Sequence, residues 1–185
     1  MDAGRNRYNM QVLLGQETIQ ARVAEMGRQI TADYEGKEIT VIGTLKGCFI
    51  FMADLVRHID IPTSVDFLEA SSYEGTSSTG IVKITKDFKH PITGRHVIIV
   101  EDIIDTGLTL NYLMENIELK QPASLKIAAL LVKAMKQKLN HPIAYRGFDI
   151  DDDFVIGYGM DYRGLFRNLD HVAILDEDAQ LKLFP

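Results

Sequence analysis

The stretch "VIIVEDIIDTGLTL" at residues 97–110 constrains the chain more than any other. Together with His96, the run "HVIIV" reads as a buried central strand. It then meets three carboxylates in five positions, Glu101, Asp102 and Asp105, and a loop that carries almost no charge. A strand of this kind needs covering elements, and the surrounding sequence supplies them in alternation. Residues 16–34 place Ile19, Val23, Met26 and Ile30 at helical spacing, with Gly36 as the stop. "EITVIGTL" (38–45) reads as a buried strand, "LKG" (45–47) as a turn, and Cys48 to about Ile59 as a second helix.

"SVDFLEAS" (64–71) reads as a strand with Val65, Phe67 and Leu68 turned inward or half-inward. The Ser-, Thr- and Gly-rich "SSYEGTSSTG" (71–80) lacks apolar anchors and predicts an exposed, mobile loop. "IVKIT" (81–85) is a short strand, and a third helix is expected from Thr106 to about Leu119. "SLKIAALLV" (124–132) is another buried strand, "MKQKLNHPIAYRG" reads as irregular, and "FVIGYG" (154–159) and "HVAIL" (171–175) as two last strands. Strands alternating with helices imply βαβ units and a mostly parallel sheet. Ligands of such sheets bind beyond the carboxyl ends of the strands. That rule draws together Lys46-Gly47, the loop 101–109 and Lys133.

A length of 185 residues suits a single domain, taken as 1–185. The net charge of −6 and the lack of any Lys/Arg run argue against a dedicated nucleic-acid partner. The longest apolar run is far short of a membrane span, and the first residues have no apolar signal core, so the expected location is cytoplasmic. One cysteine allows no internal disulfide, and Cys48 reads as a small core residue. The five histidines form no metal-binding spacing. No G-x-G-x-x-G follows any strand, which weighs against a dinucleotide site.

Neighbouring residues on a strand point to opposite sides, so Glu101 and Asp102 reach different groups. Acceptors set this way suit the hydroxyls of a sugar, or a hard divalent cation. In "DTGLT", Thr106, Gly107, Leu108 and Thr109 fall at a helix start, where free N–H groups and two hydroxyls form a phosphate cradle. Gly107 lets the backbone approach an anion closely. Asp105 lies between the two groups and faces the space left for chemistry. The pattern describes a sugar-phosphate site, although strand-end acids and helix-entry Asp-Thr-Gly sequences also occur without any ligand.

The residues quoted above resemble the purine phosphoribosyltransferase family. "GTLKGCFIFMADLVRHI", "SSYEGTSSTGIVKI", "LLVKAM" and "DDDFVIGYGMDYRGLFRNLDHVAIL" extend the resemblance, in order, over about residues 38–175. It implies a type I phosphoribosyltransferase fold: a mostly parallel α/β sheet of six core strands, one antiparallel and supplied by "IVKIT", with a small hood from the chain ends. It implies transfer of the phosphoribosyl group of phosphoribosyl pyrophosphate to hypoxanthine or guanine, with magnesium neutralising the departing pyrophosphate.

By matched position, Glu101 and Asp102 contact the ribose and the metal. Asp105 handles a purine ring proton, as a general base or as an electrostatic partner. Thr106, Gly107, Leu108 and Thr109 hold the 5′-phosphate. Lys46, Gly47 and Arg167 face the pyrophosphate, and the Leu45–Lys46 peptide is expected to be cis. Lys133 donates to the exocyclic oxygen of the base, Phe154 stacks on it, Val155 offers backbone to its edge, and Asp161 is a magnesium ligand nearby. Ser72 and Tyr73 head a lid that excludes water. Two departures are small: Cys48 stands where relatives often carry Gly or Ser, and Leu108 where some carry Lys. The family implies a homodimer or homotetramer. Two rivals share the fold: a nucleotide-sensing regulator without catalysis, and a transferase for another base, of which xanthine is hardest to separate.

Overall fold

The structure is a computed structural model that describes residues 10–72, 82–136 and 138–175. Its central strand, β5 (His96–Ile104), is longer than the apolar run alone predicts: Glu101 and Asp102 lie inside it rather than beyond its end. Alternate residues serve opposite faces. Ile98 and Val100 join one core, and Val97 and Ile99 the other. All four are fully buried, each contributing about 1.5–3 kcal/mol relative to exposure.

β5 sits in a six-stranded sheet in the order β4-β3-β2-β5-β6-β7. Its neighbours are β2 (Ile39–Leu45) and β6 (Ser124–Lys133), both parallel to it. β3 (Thr63–Ser72) runs parallel to β2, while β4 (Val82–Lys86), supplied by the "IVKIT" segment, pairs antiparallel with β3. Helices α1 (Gln16–Asp33) and α2 (Phe49–Val56) cover one face. Helix α3 (Leu108–Glu118) covers the other through Leu110, Leu113, Met114 and Ile117. The expected stripe of α1, Ile19, Val23, Met26 and Ile30, is wholly buried.

Three expectations need correction. The segment read as irregular contains an edge strand, β7 (Ile143–Ile150), parallel to β6. Arg146, Gly147 and Asp149 hide its pattern. Gly147 is required because a Cβ there would run into the Leu130 carbonyl, and α1 closes this edge by donating from Arg22 to the carbonyls of Arg146 (2.5 Å) and Gly147 (3.3 Å). Val65, expected to turn inward, is 46% exposed, whereas Phe67 and Leu68 pack into opposite cores. The strand expected over 154–159 shrinks to β8 (Val155–Ile156), because Gly157, Tyr158 and Gly159 all turn with positive φ.

The hood is a three-stranded antiparallel sheet in which β9 (Val172–Ile174) lies between β8 and β1 (Gln11–Leu14). It joins both ends of the described chain. Backbone Ser72 ends β3 and pairs with Val82. Tyr73 and the rest of the expected loop lie outside the described residues.

Candidate active site

Two cavities meet at the carboxyl end of the sheet and share Ile103 and Asp105 in their walls. Glu101 opens into one and Asp102 into the other, as opposite-pointing neighbours on a strand must. The first, of about 190 Å³, is walled by Thr44, Glu101 and residues 103–110. Gly107, at φ 79°, lets the chain turn into α3. The first-turn amides of that helix have no intrahelical acceptor and carry the positive end of its dipole. Thr106 and Thr109 add hydroxyls, and Leu108 is exposed but contributes backbone. The loop is tethered from behind by the Lys138 amide, which donates to the Thr106 carbonyl at 2.8 Å.

The second cavity, of about 360 Å³, is lined by Lys46, Gly47, Asp102, Lys133, Phe154, Val155, Met160, Asp161 and Arg167 as well as the shared pair. All of the expected base- and pyrophosphate-facing residues therefore converge on one space. The Leu45–Lys46 peptide is cis. Gly47 lies against Asp102 so closely that any Cβ would collide with that carboxylate, and Gly159 of the hood abuts the Gly47 carbonyl in the same way. Arg167 donates to the Gly159 carbonyl at 2.6 Å and pairs with Asp161 Oδ1 at 2.6 Å. The other oxygen of Asp161 accepts from the Gly164 amide at 2.6 Å. Phe154 presents a 47% exposed ring, braced edge-on by Tyr162 at 5.9 Å, while Val155 is buried and paired with Ile174.

The electrostatics of the two strand acids are unusual. Burial pushes the Glu101 carboxyl up to about 8, and Asp102 adds to the rise. The Thr44 hydroxyl pulls weakly the other way without reaching hydrogen-bonding geometry, and remains buried without a partner. Burial also lifts Asp102, to about 6, against its own amide and that of Ile103 and against the charge of Arg167. Carboxyls this far out of range, at a cleft, are the pattern expected where an absent group supplies positive charge or hydrogen bonds.

Several residues in or beside these walls were not singled out from the sequence. Ile103 and Met160 read as ordinary apolar residues. Thr44 lay inside a strand pattern. Asp152 was one of three successive acids, yet it reaches Lys133 Nζ at 3.4 Å and Lys136 Nζ at 2.5 Å. Only the proximity of "DDD" to Phe154 hinted at it.

Comparison with known proteins identifies the family. The model of the phosphoribosyl transferase domain matches residues 13–163. The chain is 45% identical to the hypoxanthine phosphoribosyltransferase of Salmonella typhimurium, covering 92% of this chain and 99% of that one. It is 46% identical to the hypoxanthine-guanine phosphoribosyltransferase of Mycobacterium avium, over 89% and 85% of the two chains. A crystal structure of the hypoxanthine-guanine phosphoribosyltransferase of Bacillus anthracis superposes with a TM-score of 0.86 at 45% identity, covering 90% of this chain and 98% of that one. The chain belongs to the phosphoribosyl transferase family and groups with its hypoxanthine and hypoxanthine-guanine members.

Proposed function

We infer that this chain transfers the phosphoribosyl group of phosphoribosyl pyrophosphate to hypoxanthine or guanine, forming the nucleoside monophosphate and releasing pyrophosphate. The observation that carries the reading is the meeting of the two cavities at Asp105. One is a phosphate cradle and the other has a stacking ring, a backbone edge and a donor lysine. The 5′-phosphate rests on the first turn of α3, with Thr106, Gly107, Leu108 and Thr109 donating. The ribose hydroxyls lie over Glu101 and Asp102. Pyrophosphate faces Lys46, Gly47 and Arg167. The base stacks on Phe154, meets the backbone of Val155 at its edge, and accepts from Lys133 at its exocyclic oxygen. As the ring nitrogen bonds to the sugar carbon and pyrophosphate departs, the ring proton is lost on the side of Asp105.

The residues fit a hard divalent cation that keeps most of its shell from elsewhere. Among the described residues no three His, Cys, Asp or Glu side chains form a ready-made cage, but burial lifts both Glu101 and Asp102 out of the usual carboxylate range, and the charge of Arg167 offsets this only in part, at Asp102. Magnesium commonly binds through one or two carboxylates, with substrate oxygens and water completing its shell. Glu101, Asp102 and Asp161 are the residues that would hold it, and the ion would neutralise charge on the pyrophosphate. Asp161 becomes available only when Arg167 leaves it, and pyrophosphate is the group that draws Arg167 away. Ser72 and Tyr73 would serve as the head of the lid that excludes water from the site. A cytoplasmic homodimer or homotetramer of single-domain chains completes the reading. No described helix is long and apolar enough to cross a membrane.

The test is a panel of bases assayed with phosphoribosyl pyrophosphate and magnesium. Lysine has donors only, so the amine of adenine would meet it donor to donor. Sites built to hydrogen-bond one group reject analogues lacking it by about 10⁴–10⁵. Hypoxanthine and guanine should both react, with adenine behind by several orders of magnitude in kcat/KM. Lys133→Gln should narrow that gap, mainly by losing activity on the 6-oxopurines. Adenine turnover equal to that of hypoxanthine in the unmodified protein would overturn the assignment.

A further inference from the structure

Lys133 is the last residue of β6, and its side chain is only 11% exposed. Its ammonium therefore works from a confined position and needs a partner for its charge. Among the described residues the only such partner is Asp152 Oδ1, at 3.4 Å. The other oxygen of Asp152 is held much closer by Lys136, at 2.5 Å. Asp152 thus bridges two lysines unequally, with a short leg to the exposed one and a long leg to the confined one.

A second carboxylate shares this cavity wall. Asp105 lines the same cavity as Lys133, and its charge is felt at Lys136. An ion pair between Lys133 and Asp105 would disable both at once: the donor for the exocyclic oxygen and the group beside the departing ring proton. We propose that Asp152 is the positioning residue for Lys133, holding its ammonium on the base-reading line and away from Asp105. This rests on the reading of Lys133 as the base donor.

The unequal bridge suits that task. An ammonium has three donors, so one long contact to Asp152 leaves two for the base. A short, saturated pair would have to open before each substrate bound. Lys136 holds the other oxygen of Asp152, and the contact to Lys133 stays long, so Asp152 gives Lys133 direction without trapping it. The geometry also explains why an acid run stands directly before the stacking residue Phe154. The turn leaving β7 carries both the ring for the face of the base and the carboxylate that aims the lysine at its edge.

Steady-state kinetics on the full chain test the proposal. Asp152→Asn should raise the KM for hypoxanthine roughly tenfold while the KM for phosphoribosyl pyrophosphate stays put, the scale of one charge-assisted hydrogen bond discounted for exposure. Asp152→Glu should recover most of the loss, and Asp152→Ser repeats the test should the amide perturb the turn. Lys136→Met should leave the hypoxanthine KM within about twofold, because a surface pair carries little energy by itself. Equal rises in both KM values, or the same rise in Lys136→Met as in Asp152→Asn, would overturn the proposal by assigning the effect to general support of the turn. Lys133→Met run in parallel separates the two layers. If it raises the hypoxanthine KM and Asp152→Asn does not, only the role of Asp152 fails. If it too leaves that KM unchanged, the base-donor reading of Lys133 fails.

Discussion

The two ends of the central strands carry comparable numbers of polar groups and treat them in opposite ways. At the amino end, His96 Nδ1 meets Ser124 Oγ at 2.8 Å, and the same hydroxyl lies 3.2 Å from Tyr34 Oη. Tyr145 donates to Asp33 at 2.8 Å, and Lys126 reaches the same carboxylate oxygen at 3.1 Å. The Tyr145 bond holds Asp33 below the usual carboxylate range despite the opposing effect of burial. At the carboxyl end, Glu101 and Asp102 are pushed up by burial and Thr44 has no partner. Each group named at the first end is answered within the fold, whereas at the second the Thr44 hydroxyl has no partner and burial outweighs what stabilises the two carboxylates. A polar group left unmatched inside a protein costs stability, so its retention marks a site of use rather than of support.

The sharpest way to break this contrast is Asp105→Asn. A general acid–base role is typically worth about 10²–10⁴-fold, so single-turnover rates should fall by that much while the melting temperature stays within error. An unchanged chemical step would remove Asp105 from proton handling. Next comes Gly47→Ala. The added methyl must displace Asp102 or the loop, and misplacement on the ångström scale can cost roughly 10²-fold, so phosphoribosyl transfer should fall by about that factor. Wild-type kinetics would show that the loop has slack.

At the other end, Tyr145→Phe should leave kcat and both KM values alone. It should cost about 1 kcal/mol by urea unfolding, the value of a hydrogen bond to a charge discounted because Asp33 is more than a third exposed. A kinetic defect in this variant would mean that the two ends are coupled.

A last test is the pH dependence of the metal-free, substrate-free protein. Glu101 ordinarily titrates near 4.5 and in the fold near 8, and Asp102 moves from 3.8 to about 6. Between those values the folded chain keeps protons that the unfolded chain has released, so stability falls as pH rises through the window. Unfolding midpoints should therefore decline from about pH 5 to about pH 8 and then level. Glu101→Gln should flatten the upper part of that decline and stabilise the ligand-free protein while impairing its activity. A midpoint that rises over this interval would contradict the burial of these charges.

What the sequence disclosed follows the same division. β6 and the core of β5 were readable because a run without polar residues has few alternatives. The site was readable at "EDIIDTGLT" because acids and a helix-opening glycine stand where nothing structural requires them. β7 was hidden by its position at an edge, where Arg146 and Asp149 are tolerated and Gly147 serves a backbone contact no pattern encodes. Phe154 would read as core by type, yet it is half-exposed because it lies just before β8, on the wall of the cavity. Asp152 was invisible as a partner of Lys133 because residues 19 apart in the chain meet only through the pairing of β6 with β7.

The hood has a consequence in time as well as space. Its sheet pairs Gln11 with Ile174 and Val155 with the same Ile174, so the first and the last of the described strands depend on each other. A chain emerging from the ribosome can complete β2, β5, α3 and the phosphate cradle while β9 is still being synthesised. The wall that receives the base cannot stand until β9 arrives to bind β8 and β1. A chain that ends before β9 therefore keeps the loop at 106–109 but lacks the pairing that supports the cavity wall carrying Phe154 and Val155.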